Sequence, residues 1–160
     1  MAYLAFIYHS QERWNEAEQL QVQVMDIRKK VLGAEHLDTL DIMGHLANTY
    51  HSQGRWNEAE QLKVQVMDIR KKVLSAEHLD TLKSMEYLAI TYHIQGRWNE
   101  AEQLQVQIMD IRKKVLGAEH LDTLKIMVYL ANTYYNQERW NEAEQLQVHV
   151  MDIRKKVQST

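Results

Sequence analysis

Apolar residues recur at intervals of three and four along most of the chain, which is the spacing of one face of an α-helix. Leu40, Met43, Ala47 and Tyr50 form one such stripe, and the pattern stops at Gln-Gly in positions 53–54. Glycine at the end of an apolar pattern favours a turn. The chain is therefore predicted to form a helix here that ends just before position 54.

A second apolar stripe follows this turn. It consists of Ala59, Leu62, Val66, Ile69 and Val73. Three basic residues lie near its end, where cations are stabilised by the helix dipole. The pattern predicts a second helix, so that the local unit is a pair of helices joined by a short turn.

Polar residues and glycines indicate where the helices begin and end. Asp38 and Asn57 stand just before the two stripes, and both residue types cap helix N-termini by accepting backbone N–H groups. Gly33 and Gly117 follow equivalent second helices and are predicted C-terminal caps, with Ser75 in that position in the middle copy.

The helix pair is repeated along the chain. Tryptophan recurs at positions 14, 56, 98 and 140, 42 residues apart, and each copy opens the same sequence, Trp-Asn-Glu-Ala-Glu-Gln-Leu. One amphipathic pair cannot bury its apolar face alone, whereas stacked pairs form a continuous core. We predict one repeat domain over residues 1–160, with units at about 1–37, 38–79, 80–121 and 122–160.

The sequence LANTYHSQGRWNEAEQL resembles a tetratricopeptide repeat, with a small residue after Leu46, an aromatic at Tyr50, Gly54 and Ala59. Its 42-residue length, with the extra residues in MDIRKKVLGAEHLDTL, is similar to the long repeats of kinesin light chains and of fungal NLR-like proteins. The resemblance covers the whole chain. It implies an all-α fold, a right-handed superhelical α-solenoid of about four helix-turn-helix repeats.

The chain departs from this family at one position of the second helix. The usual Tyr or Phe is replaced by Gln21, Lys63, Gln105 and Gln147. The family's aromatic packing between helices is therefore not implied at this position.

Composition and charge argue against several classes of function. The net charge is −3 and the pI is near 6.2, whereas binding to nucleic acids or anionic membranes needs a basic surface. The chain has no cysteine, no apolar run long enough to span a membrane, and no glycine-rich phosphate loop. We expect a cytoplasmic protein that is not an enzyme and needs no cofactor.

Histidines recur at one position of the first helix. His9, His51 and His93 are one repeat apart, and Tyr135 takes the position in the last copy. Metal ligands must converge to about 2 Å from one ion, whereas packed helices lie about 8–10 Å apart. We therefore expect no metal site at these residues.

A second histidine position and the tryptophan position also recur along the chain without change. We expect His36, His78 and His120 to form hydrogen bonds in the turn between repeats rather than to bind a metal. The four tryptophans would suit a ligand cage, but their identity in every copy favours packing in the core.

Differences between the copies are concentrated in the first helices. The second helices are nearly identical, and we expect them to carry the core. In tetratricopeptide arrays the variable first-helix positions line a concave groove, so the resemblance implies that they contact a partner. The candidate binding residues are Phe6, His9, Asp41, Asn48, His51, Lys83, Ile90, His93, Lys125, Asn132 and Tyr135. Free drift of exposed positions after duplication would produce the same pattern.

Two functional hypotheses follow. The first is a protein-interaction scaffold that binds a peptide or helix of a protein partner in the concave groove, as a fragment of a longer array or as a complete small protein. The alternative is structural self-association, because uncapped repeat ends are complementary and a head-to-tail contact that does not close gives a filament.

Overall fold

The computed structural model describes residues 1–158, and all regular structure in that range is helical. The chain divides into two compact units, Met1–Ala76 (unit 1) and Glu77–Thr160 (unit 2). Unit 1 contains α1 (Ala2–Ser10), α2 (Trp14–Val31), α3 (Leu37–Ser52) and α4 (Trp56–Leu74). Unit 2 contains α5 (Leu79–Ile94), α6 (Trp98–Val115), α7 (Leu121–Asn136) and α8 (Trp140–Gln158). The predicted series of helix-turn-helix pairs is confirmed.

Within each unit every helix packs against the next one in the chain. In unit 1 the core contains Leu40 and Met43 of α3 and Val66 of α4. In unit 2 the corresponding cluster contains Leu124 and Met127 of α7, with Val150 of α8. The two units therefore bury the same repeat positions.

The first helices carry most of the core, contrary to our expectation for the second helices. Helix α3 buries seven residues: Thr39, Leu40, Ile42, Met43, Leu46, Ala47 and Thr49. Helix α4 buries Ala59, Val66 and Met67. Helix α2 also packs against a helix on each side, α1 and α3, yet it buries only Ala17, Gln21 and Val24. Near-identity of the second helices therefore does not mark greater burial.

The N-terminal caps differ from those predicted. Helix α3 begins at Leu37, and the cap is His36, whose Nδ1 accepts the N–H of Asp38 at 3.2 Å. His78 and His120 make the same bond, so the expected hydrogen-bonding role of these histidines is confirmed. Asp38 is inside the helix because the imidazole occupies the capping position.

The second helices begin two residues earlier than predicted. The N-cap of α4 is Arg55, with no side-chain capping bond, and Asn57 already lies within the helix. The first helical hydrogen bond runs from the N–H of Ala59 to the carbonyl of Arg55. Asn57 is therefore not the cap that the sequence suggested.

Of the predicted C-terminal caps, Ser75 is the C-cap of α4, whereas Gly33 and Gly117 lie one residue past the C-caps Leu32 and Leu116. Gly33 and Gly117 follow their helices with φ of 101° and 96°, in the left-handed region that glycine tolerates. Ser75 adopts the same kind of conformation, with φ of 95° and ψ of 162°. This region is nearly exclusive to glycine, so the serine backbone is strained.

The tryptophans are not core residues. Trp56 and Trp140 are 44% and 53% exposed, and each opens a second helix. Their rings lie edge-on against His51 and Tyr135, with centroids 4.5 and 4.6 Å apart. The first residue of the helix is beside the turn, so the indole packs on the end of the preceding helix instead of the interior. Within the described residues, no helix is long and apolar enough to cross a membrane.

Candidate functional site

Helices α1 and α3 line a groove in unit 1 with a volume of about 480 Å³. Gln21 and Arg28 of α2 contribute to its base. The lining residues are Ala2, Phe6, His9, Gln21, Arg28, Asp38, Asp41, Ile42, His45 and Asn48. Four of the predicted binding residues, Phe6, His9, Asp41 and Asn48, are thus brought together.

Unit 2 has two cavities of about 250 and 240 Å³, which share Ile90 and Tyr129. The first is lined by Ile90, His93, Gln105, Tyr129 and Asn132. The second is lined by Leu79, Lys83, Glu86, Tyr87, Ile90, Arg112, Asp122, Lys125 and Tyr129. Five predicted residues, Lys83, Ile90, His93, Lys125 and Asn132, therefore lie in these cavities.

The same five repeat positions line the cavities of both units. In unit 1 they are Phe6, His9, Gln21, His45 and Asn48. In unit 2 they are Ile90, His93, Gln105, Tyr129 and Asn132, each two repeats further along the chain. Each set joins one large apolar side chain to amides and a histidine, which can donate and accept hydrogen bonds.

Two predicted residues do not line these cavities. His51 and Tyr135 instead contact the tryptophan that follows them in the turn. Burial lowers the pKa of His51, and the positive charge of Lys63 lowers it further. Burial also lowers the pKa of Lys63.

The other two histidines of this series connect consecutive first helices. The Nε2 atom of His9 lies 3.4 Å from Oγ of Ser52, and that of His93 lies 2.9 Å from Nδ2 of Asn136. These bonds join α1 to α3 and α5 to α7. Across the described residues, no group of three His, Asp or Glu side chains is placed to hold a metal ion.

The groove also contains two residue types that the sequence analysis did not propose as binding residues. The first is the buried glutamine, Gln21 in unit 1 and Gln105 in unit 2, each about 2–3% exposed. Oε1 of Gln105 accepts the hydroxyl of Thr133 at 2.7 Å, whereas Oε1 of Gln21 has no partner among the described residues. The sequence indicated this position only through its departure from the family, because glutamine replaces the usual Tyr or Phe there.

The second is an arginine in the last turns of each second helix. In unit 2, Arg112 binds both carboxylate oxygens of Glu86, at 2.8 and 2.9 Å. In unit 1, Arg28 donates to the carbonyl of Asp38 and forms no ion pair with any described residue. Because the second helices are nearly identical, no sequence signal singled out these arginines.

A polar junction joins successive repeats beside the tryptophans. Arg55 binds Glu18 of the preceding repeat at 2.7 Å and Glu58 of its own helix. Arg139 binds Glu102 and Glu142 in the same way. Glu58 and Glu18 raise the pKa of Arg55, and the guanidinium lowers the pKa of Glu58. These contacts hold neighbouring repeats together.

Comparisons with known proteins agree with this architecture. A model of the tetratricopeptide repeat family matches residues 1–72, 42–113 and 80–156. No curated protein matches the chain. A Podospora anserina protein named as a kinesin light chain with nearly identical TPR-like repeats is 34% identical, with a TM-score of 0.84. The match covers 97% of this chain and 74% of that one.

More distant structures share the fold. BtubC from P. vanneervenii has a TM-score of 0.86 at 15% identity, covering 99% of this chain and 63% of that one. The apo form of RapI has a TM-score of 0.77 at 16% identity, covering 99% of this chain and 56% of that one. Similarity at this level of identity supports the fold alone. The expected α-solenoid class is confirmed.

Proposed function

The chain belongs to the tetratricopeptide repeat family, and on that premise we propose that it binds a peptide or helix of a partner protein in its grooves. A role as a protein-interaction scaffold fits the family as a whole. The groove assignment rests on one observation: the same five repeat positions line a cavity in each unit. Each cavity presents an apolar side chain beside amide groups, a combination that suits a peptide with apolar side chains and a polar backbone.

Selection from a displayed library of random peptides tests this proposal. Peptides selected on the intact chain should lose affinity when Phe6→Asp and Ile90→Asp introduce a carboxylate into both grooves. Asn48→Ala and Asn132→Ala should weaken binding less, because each removes a single amide. Affinities would be measured by isothermal titration.

Matched controls lie on the second helices. Gln19→Asp and Gln103→Asp introduce the same charges at exposed positions that do not line these cavities. Selected peptides should bind the control as they bind the unaltered chain. If the groove variants and the controls bound these peptides equally well, the groove assignment would be wrong.

A second candidate function is head-to-tail self-association. Leu4 of α1 is 41% exposed, whereas its counterpart Leu46 in α3 is 1% exposed. At the other end, Val148 and Met151 of α8 are also exposed. Helix α1 of one copy would cover these residues on α8 of another copy, in the way that α3 covers α2 within unit 1.

Polar groups at the two ends favour the same arrangement. In unit 1, Arg55 binds both Glu58 of its own helix and Glu18 of the preceding repeat. The counterpart Arg13 binds Glu16 of its own helix at 3.0 Å. Glu144 of α8 is exposed and occupies the repeat position of Glu18, so it offers the second carboxylate to Arg13 of another copy.

Sedimentation velocity over a wide concentration range tests this contact. Association should weaken in Arg13→Glu and in Glu144→Arg, because each variant brings two like charges together at the junction. An equimolar mixture of the two variants should recover association. The carboxylate introduced at position 13 of one variant then faces the guanidinium introduced at position 144 of the other, so the charges at that junction are again opposite. A chain that remains monomeric at every concentration would exclude self-association.

A further inference from the structure

The ion pair of unit 2 shows what the guanidinium at the base of the groove can bind. Arg112 is 4% exposed at its side chain, and Glu86 holds it through two parallel N–H···O bonds. Planar guanidinium and carboxylate groups match in this geometry, and the bonds are strengthened by the charges. A third bond goes to the carbonyl of Asp122 at 3.1 Å.

In unit 1 the same position lacks the carboxylate. Arg28 is the counterpart of Arg112, and it makes the equivalent bond to the carbonyl of Asp38. Ala2 stands where α5 has Glu86. Both Ala2 and Arg28 line the groove. The guanidinium is therefore open to a carboxylate from outside the unit.

A second polar group in this groove also lacks a partner. The side-chain oxygen of Gln21 is buried and accepts no hydrogen bond from any described residue. In unit 2 the Thr133 hydroxyl supplies that bond to Gln105. Thr133 also donates to the carbonyl of Tyr129, and the corresponding Thr49 hydroxyl makes only this second kind of bond, to the carbonyl of His45. This oxygen is inaccessible to solvent, so a ligand N–H reaches it only when the Gln21 amide turns towards the groove that the residue lines. Satisfying the buried acceptor in this way gains free energy.

Two carboxylates also line this groove and oppose an acidic ligand. Asp41 is bound by Arg70, which offsets its charge. Asp38 is exposed and close to its capping histidine, with the carboxylate 3.9 Å from Nδ1 of His36. Exposed charges are strongly screened by solvent. The half-buried guanidinium consequently has the larger influence on a ligand at the base of the groove.

We propose that the groove of unit 1 binds an extended peptide whose carboxylate takes the place of Glu86 on Arg28, while a backbone N–H donates to the Gln21 oxygen after that amide has turned towards the groove. This inference rests on the proposed function and specifies the ligand. The two residues are seven positions apart on α2, which corresponds to about 10 Å at a rise of ~1.5 Å per residue. An extended peptide covers that distance in about three residues. An apolar side chain at its other end would contact Phe6.

Two capped tetrapeptides test the carboxylate requirement, acetyl-Leu-Gly-Gly-Glu-amide and its Gln twin. They would be titrated into the full chain and followed by NMR. The Glu peptide should bind about tenfold more tightly, the difference expected for one charge-assisted contact. Equal affinities would overturn the proposal, and so would a failure of the Glu peptide to bind.

Substitutions at both sides of the contact make the test specific. Arg28→Gln removes the guanidinium, and Ala2→Glu supplies an internal carboxylate in the manner of Glu86. Each should reduce the affinity for the Glu peptide to that for the Gln peptide. The second variant removes no native hydrogen bond, so it remains informative if Arg28→Gln fails to fold. An unchanged preference for the Glu peptide in Ala2→Glu would contradict the proposal.

Arg154→Gln is the matched control. Arg154 has the same repeat position in the last repeat but is exposed. Arg154→Gln should leave the preference for the Glu peptide over the Gln peptide unchanged. If it reduced that preference as much as Arg28→Gln does, the effect would be due to net charge and not to a contact with Arg28. If both peptides bound the groove equally, peptide binding would stand and only the Arg28 contact would fail.

Discussion

Units 1 and 2 have the same junctions between repeats but different groove bases. Arg55 and Arg139 each bind two glutamates, one from their own helix and one from the preceding repeat. At the groove base, by contrast, unit 2 contains the Arg112–Glu86 pair and unit 1 contains Arg28 beside Ala2. Repetition thus maintains the contacts that stack the repeats, while single substitutions in first helices change what each groove can bind.

The difference also separates buried from exposed ion pairs. Arg112 and Glu86 are at most 15% exposed, whereas the pair that Arg70 forms in unit 1 uses Asp41, which is 55% exposed. Desolvated partners depend on each other, because either one alone leaves an uncompensated charge. In the Arg70–Asp41 pair the carboxylate is exposed and stays hydrated, so it contributes less, although Arg70 is only 13% exposed. The two pairs should therefore respond very differently to loss of the carboxylate.

The largest effect is expected for Glu86→Ala. Removal of this carboxylate leaves the Arg112 guanidinium buried without a counter-charge, which should lower the free energy of unfolding by about 3 kcal/mol. Urea denaturation followed by circular dichroism would measure the change. The additional substitution Arg112→Leu should recover most of the lost stability, because the unpaired charge is then absent.

The matched variant in unit 1 is Asp41→Ala. It should cost less than the loss of Glu86, because the Asp41 carboxylate is 55% exposed and remains hydrated, although Arg70 itself is only 13% exposed. Equal losses in Asp41→Ala and Glu86→Ala would mean that burial does not distinguish the two pairs.

A smaller effect is expected at the end of α4. Ser75 has a backbone conformation that disfavours any side chain, at a cost of about 1–3 kcal/mol. Ser75→Gly should therefore raise stability by about 1 kcal/mol, after the greater flexibility of glycine in the unfolded chain is included. Thermal denaturation would detect the change.

Gly33→Ser provides the reverse experiment. No atom lies within 4 Å of a Cβ added there, so the backbone conformation alone should destabilise the variant. A Ser75→Gly variant that melts below the unaltered chain would contradict the strain argument.

The smallest effect is the contribution of His51 to pH dependence. Because burial and the Lys63 charge lower its pKa in the folded state, the unfolded chain binds more protons as the pH falls through the ordinary histidine value. Stability contributed by neutral His51 is therefore lost towards acidic pH. His51→Tyr copies the Tyr135 arrangement of unit 2 and should reduce the fall in urea midpoint between pH 7 and 5. An unchanged fall would exclude this contribution.

The period, the eight helices within residues 1–158 and their pairing could be predicted from the sequence, since apolar spacing and the recurring glycines directly reflect helical geometry. The N-terminal caps of the first helices are harder to predict, because histidine is an uncommon capping residue and Asp38 belongs to the residue types that usually cap a helix. Trp56 was assigned to the core from its identity in every copy. Such identity does not distinguish a buried residue from one that packs on a turn, and Trp56 does the latter.

The groove was only partly predictable. Variation among first helices identified Phe6 and Asn48, which do line the cavity of unit 1, as does His9 at the recurring histidine position. It could not identify Gln21 or Arg28, because residues on nearly identical helices show no such variation. Their different environments arise from the facing helix, where Ala2 and Glu86 decide whether the arginine is open or paired. That information lies in contacts between the two helices of one repeat.

The most direct test of this difference compares Arg28 and Arg112 in one sample of the unaltered chain. Their Nε–Hε signals would be followed by NMR while acetyl-Leu-Gly-Gly-Glu-amide is added. The Arg28 signal should shift and saturate, and the Arg112 signal should remain in place because Glu86 already occupies its guanidinium. Parallel shifts of both signals, or a stationary Arg28 signal, would contradict the assignment of an open carboxylate site to unit 1.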